Sequence, residues 1–373
     1  MSIITKAAVA VPGQDGYEIR EIVVDGPQAG EVLVRMVASG LCHTDASVKE
    51  FWGAAPGARP IVLGHEGAGV VERVGSAVTR VKPGDRVLLT FNSCGACVNC
   101  LAGHPAYCHR FGELNMNPAG AVRADGTSGL ATTEGEPLAG AFFGQSSLGG
   151  YALAQERNVV VVEVDSDDEL AALAPLGCGI QTGAGAVLNE LRPGPGSTVA
   201  VFGSGAVGLA ALMAAVLTPA ARVVAIDIVP SRLELARELG ATHTIDSAGT
   251  DVVAALRAIS PGGVQVAVET TGVPAVQARA VEALAPRGTL GLIGARIGAD
   301  FTAPVQTLLE GRRVHGIVEG DSDITGFIPA LVAYVRAGRM PLEKLVKEYR
   351  LEDIDQAAAD SRDGSTVKPV LRF

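Results

Sequence analysis

The chain has 373 residues, of which 48% are hydrophobic and 19% are charged, so it can form two domains with sizeable cores and does not have the composition of a disordered protein. Its 40 acidic and 30 basic residues give a formal net charge of −10, which disfavours nucleic acid as a partner because phosphate backbones are repelled. The N-terminal residues contain no long apolar segment of the secretory type, so we expect a cytoplasmic protein.

Short β-strands are expected in the N-terminal third. Residues 31–37 mix alternating and continuous apolar character, and residues 81–89 place a Pro-Gly turn before a short apolar run. Short strands between glycine and proline turns predict a compact, largely antiparallel β domain.

Two uncharged stretches, 170–189 and 193–221, are long enough to cross a membrane. The first contains Cys178, Gln181 and several glycines, and the second contains Pro195, Pro219 and a glycine-rich turn. We interpret both as buried core and expect no membrane association.

From about residue 195, strand and helix patterns alternate. Strands are predicted at 197–202, 222–227, near Thr244, at 264–269 and at 288–293, and helices at 206–217, 231–239, 251–259 and 274–284. Such alternation implies right-handed crossovers and a doubly wound parallel sheet, which makes the fold class α/β. The last 50 or so residues return to a mixed pattern that ends in a predicted strand at 367–373.

Four closely spaced cysteines form the sharpest motif in the sequence: Cys94, Cys97, Cys100 and Cys108. Two consecutive Cys-x-x-Cys steps and a fourth thiol can surround a zinc ion with four sulfurs, and such a closed set is typical of a structural site. An iron–sulfur cluster is the main alternative, since this spacing also occurs in cluster proteins. Buried free cysteines are the other alternative.

A dinucleotide-binding motif follows the predicted strand at 197–202. The sequence GSGAVG contains Gly203, Gly205 and Gly208 and opens a predicted helix, so a pyrophosphate can approach the helix N-terminus. Asp227 ends the next predicted strand, where a carboxylate accepts hydrogen bonds from ribose hydroxyls and repels a 2′-phosphate. The motif therefore favours NAD over NADP, and the alternative is a glycine turn needed only for packing.

Several segments together resemble the zinc-type medium-chain alcohol dehydrogenases. They are GLCHTD at 40–45, GHEGAG at 64–69, GCG at 177–179 and the cysteine-rich segment at 94–108. The resemblance covers essentially the whole chain in the expected order. Residues 142–147 and 176–183 further resemble the bacterial benzyl-alcohol, or aryl-alcohol, branch.

This resemblance implies a catalytic zinc held by Cys42, His65 and Cys178, with a fourth position for water or alcohol. A zinc ion lowers the pKa of an alcohol that it binds, which favours hydride transfer to a nicotinamide. Together with the four-cysteine site, this assignment uses all six cysteines and gives two zinc ions per subunit.

The resemblance also implies an organisation into two domains. Residues 1–179 and 325–373 form a GroES-like, mainly antiparallel catalytic domain, and residues 180–324 form a Rossmann domain that binds NAD. The active site is expected in a cleft between them, where closure excludes water. A homodimer or homotetramer is expected, and the partner is a small-molecule alcohol or aldehyde.

Three residues near the catalytic zinc acquire roles from the resemblance. Asp45 is expected to orient His65, as metal-bound imidazoles usually need such a partner. Glu66 either approaches the zinc during ligand exchange or forms a structural salt bridge with Lys368. Thr44 is expected to hydrogen-bond the substrate oxygen and pass its proton toward the nicotinamide ribose.

Ser47 departs from the better-known animal pattern, in which a histidine at this position can complete the proton relay. A serine is no base near neutral pH, so we hypothesise that the proton leaves through ribose hydroxyls and water. Ser47→His should then alter the pH dependence of alcohol oxidation.

Further side chains are matched to the coenzyme and the substrate. His43 and Lys368 are expected near the pyrophosphate, Thr182 near the nicotinamide and Arg232 near the adenosine ribose. The candidates for an apolar substrate pocket are Phe51, Trp52, Phe91, Phe142, Leu292 and Val318.

The family branch suggests an aromatic or allylic primary alcohol, whose conjugation stabilises the aldehyde. Two alternatives stay open: a formaldehyde or glutathione-adduct dehydrogenase on the same scaffold, and a non-catalytic, zinc-stabilised nucleotide-binding protein. A zinc-free quinone reductase is disfavoured by the three zinc ligands.

Overall fold

The computed structural model of the protein describes residues 1–116, 123, 126–296 and 298–373. The chain divides into two compact units, each with its own core. The first contains Met1–Cys178, Asp323–Ala333 and Leu342–Phe373, and the second contains Gly179–Ser322 and Tyr334–Pro341.

The strands in the described residues are β1 (Ile3–Ala10), β2 (Tyr17–Val24), β3 (Glu31–Gly40), β4 (Ile61–Val62), β5 (Gly67–Val74), β6 (Arg86–Leu89), β7 (Leu130–Thr132), β8 (Tyr151–Gln155), β9 (Val159–Val161), β10 (Thr198–Phe202), β11 (Arg222–Asp227), β12 (His243–Asp246), β13 (Val264–Glu269), β14 (Leu284–Leu292), β15 (Arg313–Gly316), β16 (Val346–Arg350) and β17 (Lys368–Arg372).

The α-helices are α1 (His43–Gly53), α2 (Val98–Leu101), α3 (Phe111–Asn115), α4 (Asp167–Ala172), α5 (Gly179–Gly185), α6 (Ala206–Val216), α7 (Pro230–Glu238), α8 (Val252–Ile259), α9 (Pro274–Ala283), α10 (Val305–Leu309), α11 (Ile324–Arg336) and α12 (Ile354–Asp363). A π-helical turn at Ala186–Leu191 directly follows α5.

Two sheets build the first unit. One has the strand order β4-β1-β2-β7, and the other has the order β16-β17-β3-β5-β6-β9 with β8 also paired to β3. The pairings are antiparallel except for β16 with β17. Strand β3 pairs with β5, β8 and β17, and nine of its ten residues are buried, which explains its nearly continuous apolar sequence.

The second unit contains a six-stranded parallel sheet with the order β12-β11-β10-β13-β14-β15. The chain runs outward from β10 to β12 and then returns to continue from β13 to β15. The strand order therefore reverses between β10 and β13, where ligands of open α/β sheets bind beyond the carboxyl ends of the strands. The predicted α/β class, with an antiparallel domain and a doubly wound parallel sheet, is confirmed.

Most boundaries predicted after residue 195 lie within one residue of the observed ones, and the start of β14 is the main exception. The helix predicted through residue 284 ends at Ala283, and β14 begins at Leu284 rather than at 288. Pro286 explains the change, because the residue before a proline is driven out of the helical region and the proline cannot continue the helix.

No helix of the described residues is long and apolar enough to cross a membrane. The uncharged stretch at 170–189 contains all of α5, and the one at 193–221 contains β10 and α6. Residues from 179 to 187 and from 208 to 215 are buried, which accounts for their lack of charge.

Candidate metal sites and glycine-rich loop

Three distant segments of the first unit bring Cys42, His65 and Cys178 together. Cys42 immediately precedes α1, His65 lies between β4 and β5, and Cys178 follows a 3₁₀ turn at Ala174–Gly177. Their ligand atoms and a carboxylate oxygen of Glu66 all lie within 4.8 Å of one another. This spacing is that of a metal site with two sulfurs and one imidazole.

Asp45 fixes the orientation of His65. Asp45 is fully buried, and its Oδ1 lies 3.0 Å from His65 Nδ1 and accepts the Gly64 N–H at 3.0 Å. Its Oδ2 accepts the backbone N–H of Cys42 at 2.9 Å. Because Nδ1 faces a carboxylate, we assign the imidazole proton to Nδ1, which leaves a lone pair on Nε2.

The Nε2 atom of His65 is buried and has no hydrogen-bond partner within the described part of the chain. An orphaned buried nitrogen beside two sulfurs is costly without a ligand. The site therefore fits a zinc ion, which accepts imidazole nitrogen and thiolate sulfur and keeps a further position for another ligand.

The electrostatics of the site favour thiolates. The hydrogen bond from Cys178 holds the pKa of Cys42 well below its usual value against the opposing effect of burial, and His65 and Lys368 add to the lowering. Burial opposes charge on His65, but Asp45 and Cys42 outweigh it and raise the pKa of the imidazole. A bound cation takes over the stabilisation of both thiolates.

Glu66 and Lys368 form a buried ion pair at 2.5 Å, and Lys368 Nζ also donates to the Leu41 carbonyl at 3.1 Å. Burial raises the pKa of Glu66, while Lys368 offsets part of that effect. A Cβ at Gly40 would lie 1.9 Å from Glu66 Oε2, so glycine makes room for the carboxylate. The salt bridge considered from sequence is thus present, and the same side chain also reaches the metal-site group.

Two aromatic rings cover His65. The ring of Phe142 meets the imidazole edge-on at 5.3 Å and 89°, and the ring of Phe143 stacks on it at 4.6 Å and 27°. The segment at 142–147 is part of the family resemblance, but our site candidates include Phe142 and not Phe143. The position of a phenylalanine in the sequence does not reveal whether Phe142, Phe143 or both contact the zinc-ligand candidate His65.

The thiols of Cys94, Cys97, Cys100 and Cys108 form a second group with sulfurs within 4.8 Å of one another. All four are free thiols. Backbone hydrogen bonds, with smaller contributions from Cys100 and Cys94, lower the pKa of Cys97 to about 6. The group surrounds one position with four sulfurs, which fits a closed tetrahedral metal site.

The glycine-rich loop lies between β10 and α6. Gly203 has φ +92°, and a Cβ at Gly208 would lie 1.8 Å from the Gly203 carbonyl oxygen, so both positions need glycine for the loop itself. A Cβ at Gly205 would meet no described heavy atom within 4 Å. The space beside Gly205 is open to a ligand that approaches the N-terminus of α6.

Asp227 ends β11 beside this loop. Its Oδ2 accepts the backbone N–H of Ser204 at 2.6 Å, and its Oδ1 accepts those of Ile228 and Val229 at 2.8 and 2.9 Å. Oδ2 accepts only one of these bonds and keeps a second lone pair, so the side chain can still accept from a ribose hydroxyl.

The remaining coenzyme candidates occupy different environments. His43 is exposed at the start of α1, and Arg232 is half-buried in the first turn of α7. Thr182 is buried in α5 and donates a long hydrogen bond of 3.5 Å to Glu319 Oε2. Lys368 is buried against Glu66 in the first unit.

Thr44 lies close to the metal site, with its Oγ1 3.7 Å from Cys42 Sγ, whereas Ser47 is exposed on α1.

The six candidates for the substrate pocket differ widely in exposure. Phe91 and Phe142 are buried, Trp52 and Leu292 are half-buried, and Phe51 and Val318 are 61% and 39% exposed.

Models of two protein families match the chain. The family described as alcohol dehydrogenase GroES-like domain matches residues 28–163, and the family described as zinc-binding dehydrogenase matches residues 206–333. Among curated proteins, geraniol dehydrogenase of Castellaniella defragrans is 44% identical over 359 residues, which cover 95% of this chain and 94% of that protein.

Two solved structures are similar over nearly their whole length. An alcohol dehydrogenase zinc-binding domain protein from Burkholderia ambifaria has a TM-score of 0.95 and 49% identity, with 100% of both chains covered. Benzyl alcohol dehydrogenase from Acinetobacter calcoaceticus has a TM-score of 0.93 and 42% identity, with 100% of this chain and 99% of that chain covered.

Proposed function

The chain belongs to the zinc-binding alcohol dehydrogenase family, and we propose that it uses NAD to oxidise a primary aromatic or allylic alcohol to the aldehyde and catalyses the reverse reaction. One observation carries this proposal: the ligand atoms of Cys42, His65 and Cys178 converge although the three residues are far apart in sequence. A packing role alone gives no reason for two thiols to meet an unpartnered imidazole nitrogen.

Cys42, His65 and Cys178 hold the catalytic zinc in this proposal, and the four-cysteine group holds a structural one. A zinc ion at the first site acts as a Lewis acid that makes an alcohol a stronger acid and a better hydride donor. Asp45 keeps the imidazole proton on Nδ1, so Nε2 stays available as a ligand. Glu66, paired with Lys368, places a further carboxylate beside the same group.

The glycine-rich loop and Asp227 are the basis for NAD as the coenzyme. The open space at Gly205 admits a pyrophosphate to the N-terminus of α6, where backbone N–H groups face an anion. The negative charge of Asp227 lies at the end of β11, where a 2′-phosphate of NADP would be repelled.

Thr44 is the candidate for the first step of proton removal, since its hydroxyl lies beside Cys42. With alcohol and NAD bound, the Thr44 hydroxyl would accept the alcohol proton while its own proton passes to a ribose hydroxyl. Ser47 is exposed and supplies no base near neutral pH, so the proton continues to water. Ser47→His adds a titratable group there and shifts the pH profile of alcohol oxidation; an identical profile contradicts a relay past this point.

The proposed substrate class rests on the relatives and on aromatic side chains. The names of two similar proteins refer to geraniol, an allylic alcohol, and to benzyl alcohol. In this chain Phe142 lies edge-on to His65, so an apolar surface borders the metal site. Such a surface favours a flat, conjugated alcohol over a charged one.

The decisive experiment is a substrate panel followed through the absorbance of reduced nicotinamide. Benzyl alcohol and geraniol should reduce NAD faster than cyclohexylmethanol, which lacks conjugation, and NADP should be a poor substitute. Cys178→Ser should abolish the activity together with one of two bound zinc ions, whereas Cys97→Ser should remove the other zinc ion.

Two results contradict the proposal. If no alcohol reduces NAD, the nucleotide-binding alternative without catalysis is favoured. If formaldehyde is oxidised only when glutathione is added and the simple alcohols are inert, the glutathione-adduct alternative is favoured.

A further inference from the structure

The stacked ring of Phe143 lies in a turn with an unusual backbone. Among residues 141–147, Ala141, Phe143 and Ser146 have φ values of +55°, +51° and +54°, and Gly144 has +66°. Left-handed conformations at three non-glycine residues cost free energy and persist only where the surroundings enforce them. We refer to residues 141–147 as the left-handed turn.

Gln145 ties the left-handed turn to the backbone around the metal site. Its Nε2 donates to the carbonyl of His65 and to that of Thr90, each at 3.0 Å, and its Oε1 accepts the N–H of Gly67 at 3.1 Å. The side chain is 1% exposed, so these bonds form away from water. Gln145 therefore fixes the turn relative to the residue that carries the imidazole.

Ser146 and Asn158 fix the rest of the turn. Ser146 Oγ donates to the Val62 carbonyl at 2.7 Å and accepts the N–H of Phe142 at 3.0 Å. Asn158 Nδ2 donates to the carbonyl of Phe143 at 3.0 Å. The hydrogen bonds thus hold the backbone on both sides of the Phe143 ring in one position.

The stacked ring and Asp45 restrain the imidazole in complementary ways. The bond between Asp45 and Nδ1 lies along the edge of the ring and sets the tautomer, whereas the Phe143 face restricts tilting of the ring plane. Both restraints are needed to aim the Nε2 lone pair, because a hydrogen bond at one ring atom still permits rotation about that bond.

From this geometry we infer that Phe143 is a positioning residue, which the strained left-handed turn holds against His65 so that Nε2 points at the bound metal. The inference rests on the proposed function, since it requires zinc at Cys42, His65 and Cys178. It also explains the strain: relaxation of the turn would move the Phe143 ring away from the imidazole.

The test compares Phe143→Leu with Phe111→Leu. Both changes replace an aromatic ring of the same cluster by an aliphatic side chain, but in the described chain the ring contacts of Phe111 are with Phe91 and Phe143. The zinc-loaded proteins are treated with a chromogenic chelator, and the release of each zinc ion is followed over time. The four-cysteine zinc serves as the internal reference in every sample.

We expect Phe143→Leu to accelerate release of one zinc ion by roughly 3- to 10-fold, as for loss of one favourable ring contact. Release of the reference zinc should not change, and Phe111→Leu should release both ions like the parent protein. Phe143→Tyr keeps the ring face and should restore slow release. In the zinc-free protein, the His65 ring protons should shift downfield in Phe143→Leu, because they leave the shielding face of the aromatic ring.

The outcomes distinguish failure of the proposed function from failure of the positioning role of Phe143. If the parent protein binds zinc only at the four cysteines, the proposed function fails and this inference fails with it. If the parent binds two zinc ions but Phe143→Leu releases them at the parental rates, or Phe111→Leu has the same effect as Phe143→Leu, only the positioning role is overturned. If Phe143→Leu does not fold, Asn158→Ala takes its place, because it removes the hydrogen bond to the Phe143 carbonyl. Zinc release from Asn158→Ala at the parental rate then overturns the positioning role.

Discussion

The carboxylate of Asp45 connects the start of a helix to a metal ligand. It accepts three N–H groups: two from the backbone of Cys42 and Gly64 and one from the imidazole of His65. The two carboxylate oxygens satisfy these donors away from bulk solvent, because Asp45 is fully buried. The same residue therefore caps the first turn of α1 and orients His65 toward the metal position.

Asp45→Asn should weaken zinc binding at Cys42, His65 and Cys178 by about 10- to 100-fold, since an amide offers one acceptor atom and turns its NH₂ group toward a donor. Competition with a chelator measures the affinity. Asp251→Asn is the matched control, because Asp251 accepts two backbone N–H groups at the start of α8 and asparagine caps helices equally well. Equal zinc affinity in Asp45→Asn and the parent contradicts the orienting role.

Asp227 combines a structural and a proposed recognition role. Asp227→Asn keeps an acceptor and removes the charge, so the preference for NAD over NADP should fall by about tenfold or more, as like charges in a partly solvated site cost on the order of 1–4 kcal/mol. The ratio of kcat/KM for the two coenzymes measures this change. An unchanged ratio counts against a ribose contact by Asp227.

Asp227→Gly separates the two roles of this side chain. It removes the acceptor of three backbone N–H groups, which costs roughly 1–3 kcal/mol for each group that stays buried and unpaired. Thermal unfolding should therefore show a lower midpoint for Asp227→Gly than for Asp227→Asn. Equal thermal midpoints for the two variants would mean that the three backbone N–H groups donate to water in Asp227→Gly.

At the scale of elements, the loop between β10 and α6 uses its glycines for different purposes. Gly208 allows the loop to pack against the first turn of α6, since a Cβ there would strike the Gly203 carbonyl. Gly205 has φ −78°, a value open to any residue, and has free space around the missing Cβ. The fold alone therefore gives no steric reason for glycine at 205.

We predict opposite effects for alanine at these two positions. Gly205→Ala should retain the thermal midpoint and raise KM for NAD by about tenfold or more, because the methyl group occupies the path of the pyrophosphate. Gly208→Ala should lower the midpoint by several degrees, since backbone must move. Calorimetry and coenzyme titration test both variants, and normal coenzyme binding by Gly205→Ala contradicts a dinucleotide site at this loop.

For the whole molecule, we propose that one group of metal-ligating side chains serves stability and the other serves the chemistry. The four-cysteine group closes around one position with sulfur alone, while the group of Cys42, His65 and Cys178 includes an imidazole and a neighbouring carboxylate. A closed set of four thiolates stabilises its own segment, and a three-ligand set leaves room for substrate.

Metal analysis should find two zinc ions per chain, no iron and no visible absorption band. Cys97→Ser should lose one zinc ion and lower the thermal midpoint by roughly 5 °C or more, because a structural zinc contributes directly to folding. Cys178→Ser should lose the other zinc ion and the activity with a smaller change in midpoint. Iron with visible absorption would instead identify a cluster at the four cysteines.

Much of this molecule follows from local sequence. The alternation of strands and helices after residue 195, the helix start after the GSGAVG loop and the spacing of the four cysteines each depend on neighbouring residues, so periodicity and turn chemistry predict them. Pro286 is also a local signal, because the residue before a proline avoids the helical region, and α9 ends at Ala283 before it.

The sequence by itself determined the fold class and the family, and it named the cysteines and the histidine that the structure brings together in two groups. Only the tertiary structure decided which side chains meet across long separations: Glu66 with Lys368, Asp45 with His65, and the Phe143 ring on the imidazole. Local patterns depend on hydrogen bonds and torsions within a few residues, whereas these contacts depend on how whole sheets and turns pack, and a linear pattern carries no direct record of that packing.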